Sequence, residues 1–125
     1  MLADGAPIFT QVAERLTDDI ADGALAEGDR VPSTNELAVF YRINPATAAK
    51  GINVLIDSGL LEKRRGIGMF VSTGARARLL DERRTRFEKH YVEPMVAEAN
   101  RLKIDLDTLV SLIRASDHVQ GASKV

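Results

Sequence analysis

Two helix starts stand eleven residues apart in this chain, at Ser33 and Asn44, and that spacing leaves little choice of local structure. Ser33-Thr34-Asn35-Glu36 has the form of a capping box. The Ser33 hydroxyl accepts from the amide of Glu36, and the Glu36 carboxylate accepts from the amide of Ser33. Asn44-Pro45 is the second start, with an N-cap side chain followed by a proline at the first helical position, where its missing N–H costs nothing. Between them fit a helix of about two to three turns, carrying Leu37, Ala38 and Tyr41, and a tight turn at Arg42-Ile43. The second helix is predicted over Ala46–Asp57, with Ala48, Ile52, Leu55 and Ile56 buried and Gly59 just beyond its end.

A longer amphipathic helix precedes this pair. Ile8, Val12, Leu16 and Ile20 recur every four residues with Phe9 and Ala13 beside them, entered at Pro7 and ended at Gly23. Residues 23–29 form a glycine-bracketed connector into Arg30-Val31-Pro32. After the capped pair, Leu61 and Lys63 alternate into a strand, Gly66-Ile67-Gly68 turns, and Met69-Phe70-Val71 returns. Three helices and a two-stranded hairpin with a basic rim make the winged variant of the helix-turn-helix, predicted over residues 7–73.

Beyond Gly74 the composition changes. Leu80, Phe87, Tyr91, Met95 and Leu102 are spaced four or seven apart in an arginine- and glutamate-rich stretch, with Pro94 expected to bend the helix. Lys103-Ile104-Asp105 is a break with Asp105 as cap, and Leu106, Leu109, Val110 and Ile113 mark a second, shorter helix. Residues 75–118 are thus expected to be a two-helix dimerisation segment, because a lone winged domain could not cover such a stripe. The aperiodic residues 119–125 are expected to be a frayed tail. The fold class is mainly α with a small β-hairpin.

Composition narrows the function. With no cysteine there are no disulfides, thiolate zinc sites or cysteine nucleophiles, which fits a reducing cytosol. No apolar run approaches the roughly 18 residues of a membrane span, and Met1-Leu2-Ala3-Asp4-Gly5 has no signal-peptide character, so a cytoplasmic chain without membrane association is expected. The net charge of -1 hides a segregation. Residues 4–29 hold seven carboxylates against Arg15 alone, whereas residues 42–78 hold seven cations against Asp57 and Glu62, a local +5. A basic surface on a near-neutral chain suits an anionic partner approached from one side, although a solvated face gives the same pattern. No catalytic constellation stands out: the two histidines are far apart and the glycines around Ile67 form no phosphate loop, so neither an enzyme nor a cofactor is expected.

The blocks Pro7-Ile8-Phe9, Gln11-Val12-Ala13, Gly28 to Ser33, Glu36-Leu37-Ala38, Asn44 to Thr47 and Gly59 to Val71, in one order and spacing, resemble the GntR family of bacterial regulators. The segment after residue 75 is too short for the large effector domains of most branches and is similar to that of the YtrA-like branch. The resemblance implies a dimeric DNA-binding repressor of a nearby operon, often transport-related and autoregulated. An adaptor that keeps the winged fold without reading DNA is the alternative.

The helix from Pro45 is the candidate recognition helix, with Asn44, Thr47 and Lys50 its exposed polar groups and its positive dipole end toward the duplex. Capping alone would also account for Asn44. Members of the family often carry arginines in this helix, whereas Ala46, Ala49 and a single Lys50 imply fewer bidentate guanine contacts. Thr34 and Asn35 are candidate phosphate contacts, since the family lays this helix across the backbone. Arg30 is placed either on phosphate or in a salt bridge to the first helix. Arg64 and Arg65, with Gly66 and Gly68 allowing close backbone approach, form the candidate wing contact. The candidate dimer interface is Leu80, Phe87, Tyr91, Met95, Leu102, Leu106, Leu109, Val110 and Ile113. A small-molecule pocket between those helices is the sharper alternative for the same stripe. His90 with Glu93 would suggest a metal, but one histidine with neighbouring carboxylates is ordinary on a helix, and no metal is expected.

Overall fold

The computed structural model describes residues 5–123. The first helix, α1 (Ile8–Asp22), buries Val12, Ala13, Leu16, Ile20 and Ala21, which are the predicted stripe and its neighbours. The capping box opens α2 (Thr34–Tyr41): Ser33 Oγ accepts from the Glu36 amide at 3.1 Å, and Glu36 Oε1 accepts from the Ser33 amide at 3.1 Å. These bonds from Ser33 hold the Glu36 carboxyl below the usual carboxylate range. A depressed pKa contributes stability that is present above the unfolded-state value and lost as pH falls through the folded one, so this contribution is intact at neutral pH. Replacing Ser33 with alanine should lower unfolding free energy by about 1 kcal/mol, read as a shift in the urea midpoint at unchanged m. A midpoint equal to the parent's would show the cap to be dispensable.

The turn is made by Arg42 in the left-handed conformation (φ 57°), and the Ile43 amide bonds back to the Ala38 carbonyl at 3.0 Å. The third helix, α3 (Pro45–Asp57), starts with Asn44 Oδ1 accepting from the Ala46 amide at 2.8 Å and Pro45 at its first position. It buries Ala48, Gly51, Ile52 and Leu55.

The predicted two-stranded hairpin is present, and a third strand joins it to make a three-stranded antiparallel sheet. Strands β1 (Arg30–Val31), β2 (Leu61–Arg64) and β3 (Gly68–Val71) lie in the order β1-β3-β2. The register pairs Arg30 with Phe70, Glu62 with Phe70, and Arg64 with Gly68. The sheet therefore presents two faces. Val31, Leu61 and Val71 are buried on one, and Arg30, Glu62, Arg64 and Phe70 share the other. Two residues between an aspartate and a proline are too few to show alternation, so β1 is visible only through its partner.

The chain divides into two compact units, one through Glu82 and one from Arg83. The helix α4 (Ala75–Phe87) begins inside the first unit: Ala75 and Leu79 are buried in its core and Leu80 packs against it. Arg76 Nε donates to the Ala21 carbonyl at 3.0 Å, and Glu27 Oε1 accepts from the Gly74 amide at 2.9 Å, fastening this start to the preceding elements. Leu80, a candidate for the dimer face, is half-buried against the core of its own winged domain.

In the second unit, a π-helical turn (Glu88–Val92) leads into α5 (Glu93–Arg101). Pro94 explains the turn. A proline has no N–H to give the carbonyl four residues earlier and its ring crowds that oxygen, and the Glu93 amide reaches back five residues to the Glu88 carbonyl. Asp105 Oδ1 accepts from the Thr108 amide at 2.8 Å and so caps α6 (Leu106–Ser123). This helix is longer than expected: residues 119–123, predicted to be a frayed tail, continue it, while 124 and 125 lie outside the described residues.

Candidate nucleic-acid interface

At the N-terminal end of α3, Asn44, Thr47 and Lys50 border one open groove of about 590 Å³, with Ile8, Phe9 and Ile43 completing its wall. Pro45 and Ala46 are exposed at the helix start, so small side chains mark the positive end of the dipole. The Asn44 carbonyl of the side chain is committed to the Ala46 amide, leaving its NH₂ group to face outward. Lys50 lies with Nζ 4.1 Å from the centroid of the Phe9 ring. This cation–π contact from α1 steers the ammonium toward the groove, and it is the feature that sequence reading missed. No spacing rule connects positions 9 and 50; only the packing of α1 on α3 does.

Thr34 is half-buried and Asn35 exposed in the first turn of α2. Of the two expected places for Arg30, the salt bridge to α1 is not formed among the described residues: its guanidinium stands beside Gly68 on the neighbouring strand, and its charge reaches Glu36 of α2. On the wing, Arg64 stacks over Phe70 with its guanidinium carbon 4.2 Å from the ring centroid, and it meets Glu62 at 3.3 Å. Arg64 is therefore held on the same sheet face as Arg30, from the opposite edge strand, whereas Arg65 is exposed in the turn with Gly66 (φ 75°). A positive φ at Gly66 is a conformation that other residues adopt only with strain, which is why glycine serves at this tip.

In the second unit, Phe87 (58% exposed) and Tyr91 (67% exposed) stand next to each other with ring centroids 5.7 Å apart. Met95, Leu102, Leu106 and Ile113 are also exposed, Val110 is half-buried and Leu109 is buried within the chain. His90 lies with Arg83 and Arg86 beside these rings, and among the described residues no three His, Cys, Asp or Glu side chains are grouped to hold a metal ion. None of the described helices is long and apolar enough to cross a membrane.

A capped two-helix unit, a third helix beneath it and a small sheet with a cationic tip define a winged helix-turn-helix protein of the DNA-binding regulator class. The chain belongs to the GntR family: the family model for bacterial regulatory proteins, gntR family, matches residues 9–71. It is thus a transcriptional regulator and not an enzyme. The HTH-type transcriptional repressor YtrA of Bacillus subtilis (strain 168) is 29% identical over 119 residues, covering 94% of this chain and 91% of its own. A transcriptional regulator from Oenococcus oeni has the same fold, with a TM-score of 0.78 at 22% identity over 92% of this chain and 94% of its own. The DNA-binding domain of AraR, solved in complex with operator ORX1, superposes with a TM-score of 0.53 at 30% identity, over 57% of this chain and 87% of its own.

Proposed function

We propose that this protein is a homodimeric repressor, acting in the cytoplasm, that binds an inverted-repeat operator at an operon containing transport functions and its own gene. The observation that carries the dimer is the exposed apolar row on the second unit, with Phe87, Tyr91, Leu102 and Leu106 (71% exposed) uncovered in one chain. Such a surface marks an association site. The repressor reading is supported by the likeness to YtrA over nearly the whole of both chains. Two recognition helices of a dimer enter successive major grooves, so half-sites about 34–36 Å apart, or a multiple of that, are expected.

In this reading Lys50 and Thr47 meet base edges, Asn44 and Pro45 set the helix start against the duplex, and Thr34 and Asn35 contact phosphate. Arg64 and Arg65 contact phosphate or the minor groove, with Gly66 and Gly68 letting the wing approach. The two kinds of contact separate by measurement. Arg65→Ala should weaken binding to all sequences alike and reduce the salt slope by about 1 per site lost, while Lys50→Ala should cut the ratio of operator to random-duplex affinity. Fluorescence anisotropy against the protein's own upstream region, at several salt concentrations, reads both. Parent protein that binds operator and random duplex equally would sink the repressor reading in favour of an adaptor.

A further inference from the structure

Between α1 and α2 lies a second cleft, of about 330 Å³, within the winged domain itself. Leu16, Leu25, Pro32 and Leu37 form its apolar lining. Phe40 and Tyr41 stand at it with ring centroids 4.9 Å apart and planes at 82°, and Phe40 is 61% exposed. The only charged groups lining the cleft are carboxylates, Asp19 and Glu36. Glu36 is committed to the Ser33 amide. Asp19 is not committed: it is half-buried, and among the described residues its carboxylate makes no hydrogen bond or ion pair, nor does the Tyr41 hydroxyl. Burial pushes the Tyr41 phenol above its ordinary pKa and the Asp19 charge pushes in the same direction, with Arg15 opposing, so the hydroxyl stays protonated. Arg15 is close enough to act on Tyr41 but does not line the cleft.

We propose that this cleft binds a small amphipathic organic cation, with its ammonium group on Asp19 and the aromatic pair and its apolar body on Leu16, Leu25 and Leu37. Each part of the chemistry selects against an alternative. An anion would face the Asp19 carboxylate with no cation in the lining to receive it. A neutral apolar molecule would strip water from Asp19 without replacing it, which is costly. A cation satisfies the carboxylate and gains the electron-rich ring faces of Phe40 and Tyr41. The volume is at the small end of the roughly 300–1,000 Å³ of ligand clefts, which suits one ring on a short arm.

The cleft also has a route to DNA. Pro32 and Glu36 of its lining flank Ser33 at the start of α2, the end that the proposed function puts against phosphate. Ligand and operator then act on one helix, and by linkage each changes the other's affinity by the same factor. That consequence rests on the proposed function; the binding site does not.

The test uses the full chain without DNA, titrated with phenethylammonium, 2-phenylethanol and phenylacetate, and followed by calorimetry and NMR shifts. Phenethylammonium is expected to saturate with shifts centred on Asp19, Phe40 and Tyr41. The alcohol should bind about tenfold or more weakly, and the carboxylate not at all. Asp19→Asn should bring the ammonium down to the alcohol's affinity at an unchanged melting midpoint, and Phe40→Ala should weaken both. Equal binding of ammonium and alcohol, no effect of Asp19→Asn, shifts centred elsewhere, or no saturation by the order of 10 mM would each overturn the site. In a second arm, operator affinity is measured with the probe at saturation. An unchanged value overturns the linkage while leaving DNA binding as proposed.

Discussion

Protein carrying Phe87→Asp and Tyr91→Asp together is expected to sediment as a monomer and to bind its operator about 10²–10³-fold more weakly than the parent. Both rings are largely exposed in a single chain, so the substitutions remove no contact from the winged domain's own core. In a dimer the same positions would be desolvated, and two carboxylates per chain placed there would repel as well as leave charge buried without a partner. The loss of DNA affinity follows from valency. A dimer's second half-site contact is intramolecular, whereas a monomer gains only one, and the difference amounts to orders of magnitude without any change at the base contacts. Sedimentation equilibrium gives the first result and fluorescence anisotropy the second, with far-UV circular dichroism to confirm that the helices persist. Phe87→Leu with Tyr91→Phe should remain dimeric. A double aspartate variant that still sediments as a dimer removes the proposed interface, and a monomer with parental affinity removes the need for dimerisation in operator binding.

The second large effect falls at Gly51, where α1 and α3 touch. A Cβ there would stand 2.9 Å from the Phe9 carbonyl oxygen and 3.1 Å from Cβ and Cγ1 of Val12. The nearest of these is backbone, which cannot rotate away. Gly51→Ala gains up to about 1 kcal/mol of helix propensity but overpacks a tight site at a cost of about 1–3 kcal/mol, so the net should be destabilising. Gly51→Val adds two more methyl groups and should cost about 3 kcal/mol, a fall in melting midpoint of roughly 10–20 °C for a domain of this size. Thermal melts followed by circular dichroism check the order parent, alanine, valine. An alanine variant that melts with the parent would show that the helices give way easily. Because Phe9 belongs to the same contact, the helices cannot be pushed apart without moving the ring that holds Lys50.

The features that were legible from sequence are those whose physical cause is local. The capping box at Ser33, the Asn44-Pro45 start and the turn at Arg42 are each settled within four residues, so their side chains reveal the backbone. The stripe of α1 and the buried face of α3 are periodic, and periodicity survives without knowledge of the partner. Where the cause was nonlocal the sequence was silent. Strand β1 exists because Arg30 and Val31 pair with Phe70 and Met69, some forty residues on. Leu80 fits the apolar repeat of the C-terminal helices yet packs on the winged core, because α4 starts inside that core before the repeat takes over. The end of α6 differs for another reason: an exposed helix needs no apolar stripe to continue, so the loss of periodicity after residue 118 does not mark its end, which lies at Ser123.

The capped pair of helix starts thus determined the helix-turn-helix and the place of the candidate recognition helix, because capping and turn formation are decided by neighbours along the chain. Tertiary structure alone decided that Lys50 lies over Phe9, that Arg64 stacks on Phe70 while Arg65 is exposed, and that Asp19 lines an aromatic cleft. Those three placements depend on packing between elements far apart in sequence, and no local propensity encodes which side chains such packing brings together.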